Sequence, residues 1–322
     1  MTTMSDGRRG LVSPRWTALT AELQNSKSPI RVFVSALTKS CSGVSRRHRE
    51  GAGPLRVPGC GGHPASIGGA FDFALRLLLD PVPNLALAAY GARPDACGPA
   101  VASGFRHLVE DFGAQINLDH TVAVTEPRVV PTRDRETLLR AAWALALLTE
   151  VCRIGMVTPG SPLAALIACD TQVDLLSLAT PEVVDELGAL VDLAEDRLLP
   201  HLVTRPAPWY IGPTFTGSRL VSADADLIVG GLLLEIKTVL GTKRADGSRH
   251  AYLEPATLRQ LIGYVLLDFD DFYQITQIGV YDARYGHLST WPLADLLTEI
   301  AGRPIDIAAT RQEFHRLLDP AL

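Results

Sequence analysis

Residues 222–238 read SADADLIVGGLLLEIKT, and the fold turns on the centre of this stretch. Gly230-Gly231 separates two apolar runs, Leu227–Val229 and Leu232–Leu234. A two-residue connection of this kind is a hairpin signal. Both central positions of the favoured turns take φ > 0, which glycine does readily. Counting outward sets the register: Val229 faces Leu232, Ile228 faces Leu233 and Leu227 faces Leu234. Asp226 then faces Glu235, and Asp224 faces Lys237. Side chains alternate along a strand, so residues 224, 226, 235 and 237 share one face. Cross-strand partners have Cβ atoms roughly 4.5–5.5 Å apart, and like charges at that spacing are destabilising. A divalent cation between the two carboxylates removes the conflict, since hard cations such as Mg²⁺ take oxygen ligands. Lys237, on the same side, can hold or activate a water or a phosphate oxygen beside such an ion. The chemistry this suits is phosphodiester hydrolysis, in which a metal polarises the phosphoryl group and lowers the pKa of a bound water. The same spacing also fits a hairpin tip with surface charges, with Asp224 and Lys237 as an ordinary exposed pair.

Downstream, residues 249–269 read RHAYLEPATLRQLIGYVLLDF, which predicts a helix from Pro255 to about Asp268. Gln260 and Tyr264 are four residues apart and share a face of it. They border the apolar side formed by Leu258, Leu261, Ile262, Val265 and Leu266, where they can reach the carboxylate end of the hairpin. A second hairpin is expected from Gln274–Tyr281 and His287–Trp291, and closing helices over Leu293–Ala301 and Arg311–Leu318. Upstream, Arg219–Ala223 reads as a strand, and the second arm of the first hairpin as Leu232–Val239. Residues 101–203 read as mostly helical. Thr132 or Asp134 is placed to cap a helix through Leu148, and Thr180-Pro181 opens another. Glu182, Asp185, Glu186, Asp192, Glu195 and Asp196 are expected on its solvent face. A helix starts at Ala70 and stops before Pro81. Residues 51–69 read as loop, and Arg31–Leu37 as a short strand or the start of a helix.

Asp-x8-Glu-x-Lys on a hairpin, followed by a helix with Gln-x3-Tyr, resembles the PD-(D/E)XK nuclease superfamily. It is similar in particular to the RecB-like branch, which includes lambda exonuclease. The resemblance implies an α/β fold: a restriction-endonuclease-like mixed sheet flanked by helices, here with a large helical N-terminal or inserted region. It implies that Asp226 and Glu235 ligate Mg²⁺ (with Mn²⁺ able to substitute), and that the backbone carbonyl of Ile236 is a third ligand. Lys237 would be the catalytic lysine, and Gln260 and Tyr264 would contact DNA or the catalytic centre. The branch has an early Gly-x-x-His-x-x-apolar-Glu helix. IGGAFDFALRLLL, residues 67–79, is similar in shape, with Asp72 in the histidine place and Arg76 in the glutamate place. Asp72, like Asp224, is a further candidate metal ligand, and Arg76, Lys243 and Arg244 are candidate nucleic-acid contacts. Some members hold an iron–sulfur cluster on cysteines mostly near the C-terminus. No cysteine follows Cys169 here, so no cluster is expected. The proline that precedes the first aspartate in this motif is Ala225. The organisation this implies is a basic, partly flexible segment 1–60, a mainly helical region 61–205 with the first-motif-like helix 66–80, and a catalytic core 206–322. The expected partner is DNA, with RNA left open. The competing expectation is an inactive nuclease-fold module that binds nucleic acid or protein.

Composition narrows the alternatives. The chain has 322 residues, 47% hydrophobic and 20% charged, enough for a substantial core and incompatible with wholesale disorder. Mean hydropathy is +0.16, yet no run approaches the roughly 20 apolar residues of a spanning helix, so no membrane partner is expected. MTTMSDGRRGLVSPRW lacks the apolar core of a secretory signal. Five cysteines at 41, 60, 97, 152 and 169 form no repeated spacing and read as reduced thiols of a cytoplasmic protein. Net charge is −5, but residues 1–60 carry ten Lys/Arg against three acids. A basic front on an acidic body is compatible with contact to a polyanion, and equally with a solvated leader. Cys41, His48, Cys60 and His63 fit no compact zinc-finger spacing. No Gly-Lys-Ser/Thr phosphate loop, HExxH, GxSxG or CxxC occurs.

Overall fold

The chain forms a mixed sheet held between two layers of helices in the computed structural model, which describes residues 17–60, 62–117, 123–124, 134–168 and 174–319. The strands are β1 (Ala123–Val124), β2 (Trp209–Ile211), β3 (Leu227–Val229), β4 (Leu232–Lys237), β7 (Gln277–Asp282) and β8 (His287–Pro292), hydrogen-bonded in the order β1-β2-β3-β4-β7-β8. β4 and β7 are parallel and every other pair is antiparallel. Parallel neighbours need a crossover, and this one carries the helix Pro255–Leu267 together with a two-stranded ribbon, β5 (Thr242–Lys243) and β6 (Arg249–His250).

The β3–β4 hairpin has the register counted from its sequence: Leu227 opposite Leu234, Ile228 opposite Leu233 and Val229 opposite Leu232. Gly230 and Gly231 have φ of 50° and 75°, the conformation the turn demands. The continuous apolar runs on either side are those of a sheet buried on both faces. Leu227, Val229, Leu232 and Leu234 pack against the helices Pro64–Leu79, Arg135–Ile154 and Pro181–Arg197. Ile228, Leu233, Ile278 and Val280 pack against Pro255–Leu267, Leu293–Ala301 and Ile307–Leu318, with the early helices Leu19–Gln24 and Pro29–Leu37. Helix starts follow local chemistry. Thr180 caps Pro181–Arg197 by accepting from Val183 N, and Asp134 caps Arg135–Ile154 by accepting from Glu136 N. Thr132 lies outside the described residues, as do residues 1–16 of the expected N-terminal segment.

Several elements differ from the sequence expectation. Residues 51–69 are not all loop. Ala52 ends the helix Ser42–Ala52, and Pro64 opens the one running to Leu79. Proline at the first helical position is preorganised for a start. Of the two forms expected for Arg31–Leu37 the helix is the one present, and Pro29 opens it. Arg219–Ala223 is not a strand. Ser218 Oγ accepts from Phe215 N at 2.9 Å and donates to Ala223 O at 2.7 Å; Thr216–Arg219 is a 3₁₀ turn and the chain runs irregularly from Leu220 to Ala223. β4 stops at Lys237, short of Val239. β7 begins at Gln277, because Gln274 takes φ of 49°. β2, three residues long, carries too short a pattern to have been read. Among the described residues no helix is long and apolar enough to cross a membrane, and Cys41, Cys60, Cys97 and Cys152 are free thiols.

Candidate active site

The hairpin ladder ends at Leu227–Leu234, and the charged residues lie just beyond it, where the two helical layers meet the strand ends. Asp226 is anchored by its backbone, whose carbonyl accepts from Gly212 N at 2.9 Å. Its carboxylate Oδ2 accepts from Ile236 N at 2.6 Å. In an extended strand the N–H and C=O of one residue leave toward the same edge, so the Ile236 carbonyl also faces the Asp226 side.

Glu235 is 4% exposed. Its Oε1 accepts from Lys237 Nζ at 2.6 Å and from Gln260 Nε2 at 3.2 Å. Its Oε2 is buried without a hydrogen-bond partner. Gln260 Nε2 also donates to Tyr264 OH at 2.6 Å, and the Tyr264 ring stacks on Phe215 at 5.4 Å. The four-residue spacing on one helix thus places Gln260 on the carboxylate and Tyr264 behind Gln260. Lys237 pairs with Glu235 on its own strand rather than with Asp224. Asp224 is exposed and bridges Thr214, though its charge still reaches Glu235.

From the opposite layer, the helix Pro64–Leu79 brings Asp72 and Arg76 to the same point. Their side chains pair at 2.8 Å. The Arg76 guanidinium lies against Gly212, where a Cβ would collide with it. Asp72 is therefore near the carboxylates but committed to an arginine, and Arg76 is turned into the acidic cluster rather than toward solvent. Asp72, Arg76, Asp226 and Ile236 line a cavity of ≈ 10 Å³, about the space of one water-sized sphere. Lys243 and Arg244 are exposed on the β5–β6 ribbon and make no contact with this cluster.

The electrostatics are only partly compensated by Lys237 and Arg76. Burial raises the Asp226 pKa well above the usual carboxylate range, and the charges of Glu235 and Asp72 raise it further. Burial also raises that of Glu235, against the pull of Lys237. Burial works against the Lys237 ammonium too, but Glu235 and Asp226 outweigh it and hold its pKa above the ordinary value. Burial pushes the Tyr264 phenol well up, with Glu235 adding to it, so it stays neutral. A buried carboxylate pair relieves itself by keeping a proton or by taking a cation. An orphaned buried carboxylate oxygen, costly when unpartnered, fits the second. Among the described residues no group of three or more His, Cys, Asp or Glu is placed to hold a metal. The donor set is two carboxylates and a backbone carbonyl, which suits Mg²⁺, an ion that retains several waters and commonly takes one or two carboxylates.

Two buried networks brace the strand ends. Arg284 donates from Nε to Thr238 O at 2.5 Å and from Nη1 to Val57 O at 3.2 Å, and pairs with Glu186. Glu186 is 4% exposed, which corrects its expected place on a solvent face; it also accepts from Cys60 N at 2.8 Å. Asp282, beside Lys237 in the β4–β7 register, binds His48 Nε2 at 2.7 Å, and His48 Nδ1 meets Ser289 Oγ at 2.9 Å. Cys60 and His48 are thus engaged in separate networks. No local signal marks these pairs, because their partners are 98 and 234 residues apart.

No protein-family model, curated protein or solved structure matches the chain.

Proposed function

We propose that the protein is a Mg²⁺-dependent nuclease of the PD-(D/E)XK type, RecB-like, with a restriction-endonuclease-like core, acting on phosphodiester bonds of DNA. The observation that carries the reading is the Asp226–Glu235 corner, half-buried at Asp226 and buried at Glu235, with Glu235 Oε2 unpartnered and Lys237 held 2.6 Å from Oε1. In this reading Asp226, Glu235 and the Ile236 carbonyl hold the ion. The ion supplies Lewis-acid polarisation of the phosphoryl group and a water of lowered pKa. Lys237, kept charged by Glu235 and Asp226, donates hydrogen bonds to a phosphoryl oxygen or to the attacking water. Gln260 fixes the Glu235 carboxylate, and Tyr264, kept neutral, fixes Gln260. Arg76 offsets the charge of Asp72 and Asp226 from the other layer.

The test is cleavage of linear and circular DNA in Mg²⁺ or Mn²⁺ by wild type and Lys237→Ala. The expected loss in the variant is on the order of 10²-fold or more, as for removal of one preorganised donor. Equal activity in the two proteins would discard the proposal. One observation favours a second reading, an inactive nuclease-fold binding module: Lys237 and Arg76 already neutralise part of the acidic cluster. Tight DNA binding with no turnover in either metal would decide for it.

A further inference from the structure

A second charged surface begins where the candidate site ends. β4 leaves Lys237 and reaches the β5–β6 ribbon at Thr242, five residues on. At 3.3–3.6 Å per residue the ribbon lies within about 18 Å of Lys237 along the chain. In the ribbon Lys243 stands directly opposite Arg249, with Arg244 adjacent. Like charges facing each other across strands are destabilising. The acid within the ribbon, Asp246, is engaged by Ser248 N at 2.9 Å and Ser248 Oγ at 2.6 Å.

The ribbon is fixed to the segment that follows the Ser42–Ala52 helix. Pro54 bridges His250, and Ala52, Ala251 and Tyr285 form a small apolar cluster beneath, with Leu55 against it. The Ser42–Ala52 helix and the segment after it carry more cations without an ion-pair partner. Arg46, Arg49 and Arg56 are exposed, and with Lys243, Arg244 and Arg249 they have no ion-pair partner among the described residues. Arg244 Nε donates to His250 Nδ1 at 3.3 Å; burial lowers the His250 pKa, and the charges of Arg244 and Arg49 lower it further. On a chain of net charge −5, this is a concentrated positive surface.

We infer that the ribbon and residues 46–56 form a phosphate-backbone binding surface that grips a nucleic-acid strand some nucleotides away from the candidate site. At about 3.4 Å per nucleotide, 18 Å is an upper limit of roughly five nucleotides. A row of phosphates lying over Lys243 and Arg249 relieves their mutual repulsion, much as a cation would relieve the Asp226–Glu235 pair. The inference deepens the nuclease reading, and its test uses binding alone.

The experiment is fluorescence anisotropy with a labelled 25-base-pair DNA duplex and the corresponding single strand, in EDTA, from 50 to 300 mM NaCl. Wild type is compared with Lys243→Glu/Arg244→Glu, Arg49→Glu and, as a charge control, Arg153→Glu at the end of the Arg135–Ile154 helix. Melting temperatures confirm that each variant is folded. The double variant is expected to bind at least about 10-fold more weakly at 100 mM NaCl, with a log Kd–log[salt] slope on duplex smaller by about 2. Arg49→Glu is expected to weaken binding less, and Arg153→Glu not at all. Unchanged affinity and slope in the patch variants, equal loss in Arg153→Glu, or no binding of either probe by wild type would each overturn the inference. Patch-dependent binding by a wild type that cuts nothing would uphold it while removing the nuclease reading.

Discussion

Asp226 and Glu235 sit where burial raises the pKa of each, and the charge of Glu235 raises that of Asp226 further. Lys237 answers one oxygen of Glu235 and leaves the other without a partner. Removing the Asp226 charge is therefore predicted to have opposite effects with and without metal. In EDTA at pH 7, Asp226→Asn melts above wild type, because a repelled carboxylate has become neutral while its side-chain oxygen can still accept from Ile236 N. In saturating Mg²⁺ wild type gains stability as RT ln(1 + [L]/Kd), about 2.7 kcal/mol at a hundred times Kd, and the variant gains little. Differential scanning fluorimetry with and without MgCl₂ checks both signs. A wild type indifferent to Mg²⁺ and Mn²⁺, or a variant less stable than wild type in EDTA, contradicts this account of the pair.

At the scale of elements, the helix Pro255–Leu267 is tied down at its C-terminal end as well as at Gln260 and Tyr264. Asp268 accepts from Phe272 N at 3.0 Å and Tyr273 N at 3.3 Å, and Arg311 lies 3.7 Å from its Oδ2. Burial nevertheless raises its pKa from 3.8 to about 6. The folded state then binds a proton that the unfolded state has released. This stabilisation is fully present below pH 4 and is lost as pH rises through about 6, a change of ~3 kcal/mol. Urea denaturation at pH 4, 5, 6 and 7 is predicted to give a shallower decline for Asp268→Asn than for wild type. Identical slopes would place the proton elsewhere. The elements themselves differ in how openly the sequence announces them. The β3–β4 hairpin is local: its turn and ladder lie within 227–234, so counting residues suffices there, whereas beyond the ladder Asp224 bridges Thr214 instead of meeting Lys237. The Pro255–Leu267 helix is legible for the same reason. Trp209–Ile211 is too short to carry a period, and the polar composition of Ser42–Ala52 masks a helix whose buried residues are few, among them Val44, His48 and Ala52.

Across the whole molecule, the candidate site is assembled by layers that meet only in three dimensions. Glu235, Lys237, Gln260 and Tyr264 come from one contiguous region and were readable together; Asp72 and Arg76 were readable only by resemblance, and their mutual pairing was not. Glu186–Arg284 and His48–Asp282 brace the strand ends from residues far apart in sequence, so no spacing could reveal them. The central claim remains local: a divalent cation belongs between two carboxylates at the end of one hairpin. Anomalous diffraction from crystals grown or soaked with Mn²⁺ tests it most directly. The predicted result is a peak bonded to both Asp226 and Glu235, about 2.0–2.3 Å from an oxygen of each. Well-ordered Asp226 and Glu235 side chains in saturating Mn²⁺, with no peak between them or with the ion bound only elsewhere, would contradict it.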